Sequence, residues 1–247
     1  MGKLVSLAII ISTFFYFQFS NNQEEIVRPE KATPKAITVA LNSDPDSLNK
    51  AQFFPAISPD KYDDLFKPNP DYFSEGFDYP VGKPDAKKYY KALNFGQKHH
   101  LGEDWNGNGG GNTDLGDPVY TVGNGLVVYA ADICCGWGNT VRIVHFLPNH
   151  SEYKYVESIY SHLHNVHVKV GDFLHRGDQI GTIGNANGRY SAHLHLEFRD
   201  FVNMSMGPGY SSDQFGYLNP TDFIEGNRPV SGVRGETGVR GEGGTKK

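Results

Sequence analysis

Residues 190–200 read YSAHLHLEFRD, and the alternation inside this stretch decides how the rest of the chain is organised. Side chains along a β-strand point alternately to opposite faces, so His193, His195 and Glu197 face one way and Leu194, Leu196 and Phe198 the other. The leucine face belongs to a core. A single histidine on a half-buried strand is ordinarily a hydrogen-bonded core residue, but two in alternation each need a partner, which sets metal ligation or catalysis beside the structural reading. Glu197 could orient a ligand histidine from behind; as a surface strand residue it needs no role, and that is the expectation.

Upstream of this strand, short β-rich runs recur: PVYTV, GLVVYAA, TVRIVHF, YVESIYSHL, VHVKV and QIGTIG, with Gly, Asn and Asp between them. With AHLHLEF they make seven, the pattern of a mostly β fold built on an antiparallel sheet or sandwich. NGNGGGNTDLGD reads as a flexible loop whose glycines do not match a phosphate-binding spacing. The paired turns VGD and RGD are reminiscent of a biotinyl or lipoyl carrier hairpin, but Lys169 lies inside its run without the flanking residues a carrier lysine needs.

The 247 residues, 38% of them hydrophobic, suit one globular domain with appendages, divided here as 1–20, 21–85, 86–226 and 227–247. A net charge of −5 gives no reason to expect nucleic acid or an anionic membrane as partner. Residues 1–20 set Lys3 before an apolar run, the layout of a secretory signal. Gln18 makes the cleavage site weak, so an uncleaved membrane anchor is the alternative; either way the protein is expected to be secreted or periplasmic. Residues 21–85 are polar and Pro-rich, an extended arm whose aromatics pack onto the main domain near FDYPVGKPD. The tail has Gly at 232, 235, 238 and 241, but a collagen-like repeat this short and without proline reads as disordered. Cys134 and Cys135 are adjacent, which excludes a disulfide framework and lacks the spacing of zinc thiolates, so both are read as structural. Nothing in the pattern specifies an oligomeric state.

Six of the ten histidines fall in three groups: His99 and His100 in HHLGED, His162 and His164 in YSHLH, and His193 and His195. In an extended segment residues four apart share a face, so His100 and Asp104 can converge. With one histidine of HLH they would form a three-ligand set with an open fourth position, the composition of a catalytic zinc site. Two slips compete: His99 with Glu103 has the same spacing, and His164 would share a strand face with His162. His145, His150, His167 and His175 are assigned to structure or solvent.

HLGED, LGDPVYTVGNGLVVYA, GWGNTVRIVH, YSHLHNVHVKVGDFLHRGDQIGTIG and SAHLHLEFR follow one another as in zinc endopeptidases of the lysostaphin and LytM type, which the chain resembles over residues 94–224. These enzymes cut peptide cross-links of bacterial cell walls. The resemblance implies His100, Asp104 and His195 as ligands of one zinc ion, His162 and His193 as catalytic histidines, a metal-bound water as nucleophile and peptidoglycan peptides as partner. It favours His100 over His99 and His162 over His164. It also implies an antiparallel sheet forming a groove with zinc at its floor and loops such as 106–117 on its walls. The rival reading is a non-catalytic or latent wall-binding regulator of other hydrolases. Such members usually lack some of these residues, and all five are present.

Overall fold

The computed structural model describes residues 58–229. The expected signal segment 1–20, residues 21–57 of the expected arm and the tail from 230 onward lie outside the described residues.

An antiparallel sheet carries the domain. Its strands are β1 (Tyr89–Leu93), β2 (Glu103–Gly107), β4 (Gly125–Asp132), β5 (Asn139–Phe146), β6 (Tyr155–Leu163), β7 (Phe173–Leu174) and β9 (Leu194–Arg199), in the order β1-β2-β9-β6-β5-β4-β7. A short β10 (Tyr217–Leu218) pairs with the end of β9, and β3 (Pro118–Tyr120) with β8 (Gln179–Thr182) makes a separate two-stranded sheet. Six of the seven expected runs form strands; VHVKV contributes only a bridge between Val166 and Gly181. Strands β1, β2, β7 and β10 carried no alternation strong enough to read, because they are short and their sequences are mostly polar or aromatic.

All nine residues of β6 and all six of β9 are buried, so the central strands are covered on both faces. On one face Leu194, Leu196 and Phe198 meet Val141, Ile143, Val156 and Tyr160 in the main core. On the other face a smaller cluster of Leu126, Val144, Phe146 and Tyr155 is capped by helix α1 (Tyr62–Phe66). Tyr62 and Phe66, four apart and so on one side of the helix, both reach the Tyr155 ring, while Asp63 ties to Lys154 and Tyr155. The described part of segment 21–85 therefore contains short helical turns, with Phe77, Tyr79 and Val81 in the main core. A five-residue helix beside prolines is too short to announce itself as a periodic run.

Candidate metal centre

Register across the sheet assembles the site. Asp104 on β2 lies opposite His195 on β9, and His195 lies opposite Ser161 on β6. Opposed residues of antiparallel strands share a face, so one row crosses three strands beyond the end of the aromatic cluster. His100 enters from the segment before β2, where it bridges Tyr210. Its Nε2 lies 3.0 Å from His195 Nδ1 and 3.4 Å from Asp104 Oδ1, and His195 Nδ1 is 3.0 Å from the same oxygen. One ligand atom from each of the three residues falls within 4.8 Å of the others.

The protonation pattern follows from the partners, since a carbonyl or carboxylate can only accept. His195 Nε2–H donates to Glu197 Oε1 at 3.1 Å, leaving Nδ1 for the site. Glu197 is fully buried and held in turn by Arg199, whose Nη2 is 2.7 Å from Oε2. This corrects the expectation that Glu197 is a surface residue: the 200–206 segment, whose Ser205 and Met206 carbonyls accept from Arg199, covers part of the face that sequence alone would leave to solvent. Burial pushes the His195 imidazole down, but hydrogen bonds to Asp104 and Glu197 outweigh it and raise it to about 9. Burial raises Asp104, yet the His195 hydrogen bond and three neighbouring imidazoles bring it down to about 2. His100 is lowered to about 4, by burial first and His195 second.

His162 and His193 stand beside this cluster, their rings 4.7 Å apart. His162 Nδ1–H donates to the Trp137 carbonyl at 3.1 Å and His193 Nδ1–H to the Ser191 carbonyl at 2.8 Å. Both rings thus keep a bare Nε2; that of His193 is 3.7 Å from Asp104 Oδ1. His162 has a φ of +64°, a conformation L-residues seldom adopt, at the point where the β5–β6 register slips. This β-bulge turns its side chain into the site while leaving its backbone N–H on the Trp137 carbonyl at 2.9 Å. Burial, followed by the charges of His195 and His193, drives His162 down to about 3. Two close backbone approaches hold these elements together. A Cβ on Gly102 would lie 2.5 Å from the Leu196 carbonyl oxygen and 2.9 Å from the His195 ring, and one on Gly184 would lie 2.3 Å from the His162 carbonyl oxygen.

The competing residues lie elsewhere. His99 and His164 are exposed, and Glu103, opposite in direction to Asp104, is buried against Lys91 and Thr221. His150 bonds Asn227, exposed His175 stacks on half-buried Tyr72, His167 is exposed and His145 is buried in the main core face. Lys169 is exposed and paired with Asp172. The cluster opens into a pocket lined by Cys135, Trp137, Tyr190, Pro208, Gly209 and Tyr210, whereas residues 106–117 do not line it. Tyr210 covers His100 at 5.0 Å and Tyr190 meets His162 at 5.1 Å. These loop aromatics carried no sequence signal because no periodicity links them to the strands they cover.

Two imidazole nitrogens and a carboxylate oxygen, converging with an open side toward a pocket, form a donor set that fits zinc in catalytic rather than structural composition. The carboxylate behind His195 is the outer-shell support such a ligand ordinarily has.

Residues 99–208 match peptidase family M23. Lysostaphin of Staphylococcus simulans is 32% identical over 90 residues, 36% of this chain and 17% of that protein. Lipoprotein NlpD of Yersinia enterocolitica is 33% identical over 93 residues, 38% of this chain and 87% of that protein. Among solved structures, a zinc-containing peptidase from Vibrio cholerae shares 27% identity, covering 51% of this chain and 37% of that one, with a TM-score of 0.40. The catalytic domain of S. simulans lysostaphin shares 25%, covering 62% and 90%, with a TM-score of 0.38. The chain spans 17% of the length of the lysostaphins it matches.

Proposed function

The chain belongs to peptidase family M23, and on that premise we propose that it is a zinc-dependent endopeptidase hydrolysing peptide cross-links of bacterial peptidoglycan. The observation that carries the reading is the convergence of His100 Nε2, Asp104 Oδ1 and His195 Nδ1 beside two further histidines with bare Nε2 atoms. In this reading the first three residues hold the metal and His162 and His193 move protons. Bound zinc supplies a Lewis acid for the scissile carbonyl and lowers the pKa of a coordinated water toward 7.

The protein's own groups do the remainder. Each Nε2 of His162 and His193 faces the reaction centre as a proton acceptor, and once protonated it can hydrogen-bond the developing oxyanion or return the proton to the leaving amine. Glu197, fixed by Arg199, holds the His195 ring in one tautomer and orientation. Trp137, Tyr190 and Tyr210 give the pocket apolar walls against which an extended peptide can lie, with small residues allowing its backbone close to the metal. The Cys134–Cys135 disulfide suits an oxidising compartment, in keeping with a secreted or envelope location and with a relative named as a lipoprotein.

The test is digestion of purified peptidoglycan with and without a chelator, followed by zinc restoration, reading fragments by mass spectrometry. Zinc-dependent fragments with new amino and carboxyl ends are expected. Asp104→Ala should lose bound zinc and at least ~10³-fold in rate. Cleavage by metal-free protein would refute the reading.

A further inference from the structure

The turn between β4 and β5 carries a disulfide between its adjacent Cys134 and Cys135, both exposed. Both residues have left-handed backbones, with φ of +68° and +54°. Each such residue costs roughly 1–2 kcal/mol unless its surroundings impose it, and two in succession call for a constraint. The turn is also held by hydrogen bonds: Ile133 N–H donates to the Gly138 carbonyl at 3.1 Å, and further bonds pass through Cys134. Its N–H donates to Asp132 Oδ1 at 2.7 Å, and its carbonyl accepts from Trp137 N–H at 2.9 Å. The Trp137 carbonyl is the group that accepts both the backbone N–H and the Nδ1–H of His162, and the Trp137 ring stands edge-on to His195 at 5.3 Å. A covalent link at the rim of the pocket is thereby connected, through one carbonyl and one tryptophan, to the orientation of a site histidine.

We propose that the Cys134–Cys135 disulfide is a thiol-sensitive positioning device: closed, it holds Trp137 where its carbonyl orients His162, and opened by a dithiol reductant it lets the turn relax and slows turnover without releasing the metal. The inference rests on the peptidase reading of the site. The reductant's thiolate attacks one sulfur, forming a mixed disulfide and expelling the other cysteine as thiolate. The reductant's second thiol then displaces the remaining cysteine. Two electrons and two protons pass to Cys134 and Cys135, and the reductant leaves as its own disulfide. Exposure of both cysteine residues gives the attacking thiolate access, and relief of two left-handed backbones favours the opened turn.

The experiment reduces the zinc-loaded full chain with a phosphine, which avoids the zinc chelation of dithiols; the disulfide takes two electrons from phosphorus, and water supplies the oxygen of the phosphine oxide and the two thiol protons. Thiol counting, zinc content, kcat, KM and the histidine ring ¹⁵N resonances are followed together. With the appearance of two thiols, kcat should fall on the order of 10- to 100-fold, KM should change by less than about twofold and zinc should stay bound. The His162 resonances should shift, and reoxidation should restore every value. A Cys134→Ser/Cys135→Ser double variant should match the reduced protein; should it fail to fold, the reversible titration of the wild type still decides. Unchanged kcat and unchanged His162 resonances after full reduction overturn the proposal, as does loss of zinc on reduction. If the oxidised, zinc-loaded protein cleaves no peptidoglycan peptide, the peptidase reading fails, while the His162 resonances still report whether the disulfide positions that ring.

Discussion

Two buried histidines on opposite faces of the same sheet have opposite acid–base character. His145, on β5, lies on the main-core face against Phe77, with Nδ1–H donating to the Asn124 carbonyl and Nε2 bonded to Ser158 Oγ, both at 2.7 Å. With no anion beside it, burial lowers it to about 4. His195, on β9, is equally enclosed, but the two carboxylates in contact with it overcome burial and raise it to about 9. Enclosure alone makes a histidine a neutral core residue; enclosure together with carboxylates makes a place for positive charge, whether a proton or a metal ion.

That contrast can be broken in graded steps. The largest effect, next to loss of a ligand, is expected from His193→Ala, which should keep bound zinc but lose roughly 10²–10⁴-fold in kcat; metal analysis beside steady-state kinetics separates it from Asp104→Ala. Next comes a pH dependence carried by His145. Its folded pKa of about 4 lies below the ordinary 6.5, so between these values the unfolded chain binds a proton that the folded chain refuses. The stability contributed is complete above pH 6.5 and is lost as pH falls toward 4, roughly 2 kcal/mol of it by pH 5. Urea unfolding at pH 7.5 and pH 5 should show a drop that is smaller by this amount in His145→Gln, which cannot titrate.

Smaller still is Glu197→Gln, which keeps the shape but removes the charge behind His195. Zinc affinity should weaken about 10- to 100-fold by competition titration, and equal affinity would reduce Glu197 to a packing residue. The smallest effect belongs to the apolar side of the same strand. Leu196→Met conserves volume, so it should cost less than about 1.5 kcal/mol in denaturant unfolding and leave zinc affinity untouched.

Adjacent residues of β9 therefore answer to different rules, and this is where the amino-acid order was most informative. Alternation from His193 to Phe198 was legible because the pleat has a period of two whatever the strand packs against. The spacing of His100 and Asp104 was legible as a convergent pair, although only β2 proper is extended and His100 reaches the cluster from the turn before it. Choosing between His99 and His100, or His162 and His164, lay beyond pattern alone. The first depended on Glu103 turning toward Lys91 while Asp104 faced His195, and the second on a β-bulge whose position is set by the pairing of β6 with β5.

Local order along the chain thus determined which segments are strands, which faces are apolar and which residue types could bind a metal, because those properties depend on neighbours two to four residues away. The tertiary structure decided the rest. It buried Glu197 on a face that sequence alone would leave to solvent, and it brought Trp137, Tyr190 and Tyr210 over the cluster from three separate loops. It also tied the orientation of His162 to the turn that holds Cys134 and Cys135. Each of these depends on contacts between residues far apart in the chain, and such contacts leave no periodic trace in the order of the amino acids.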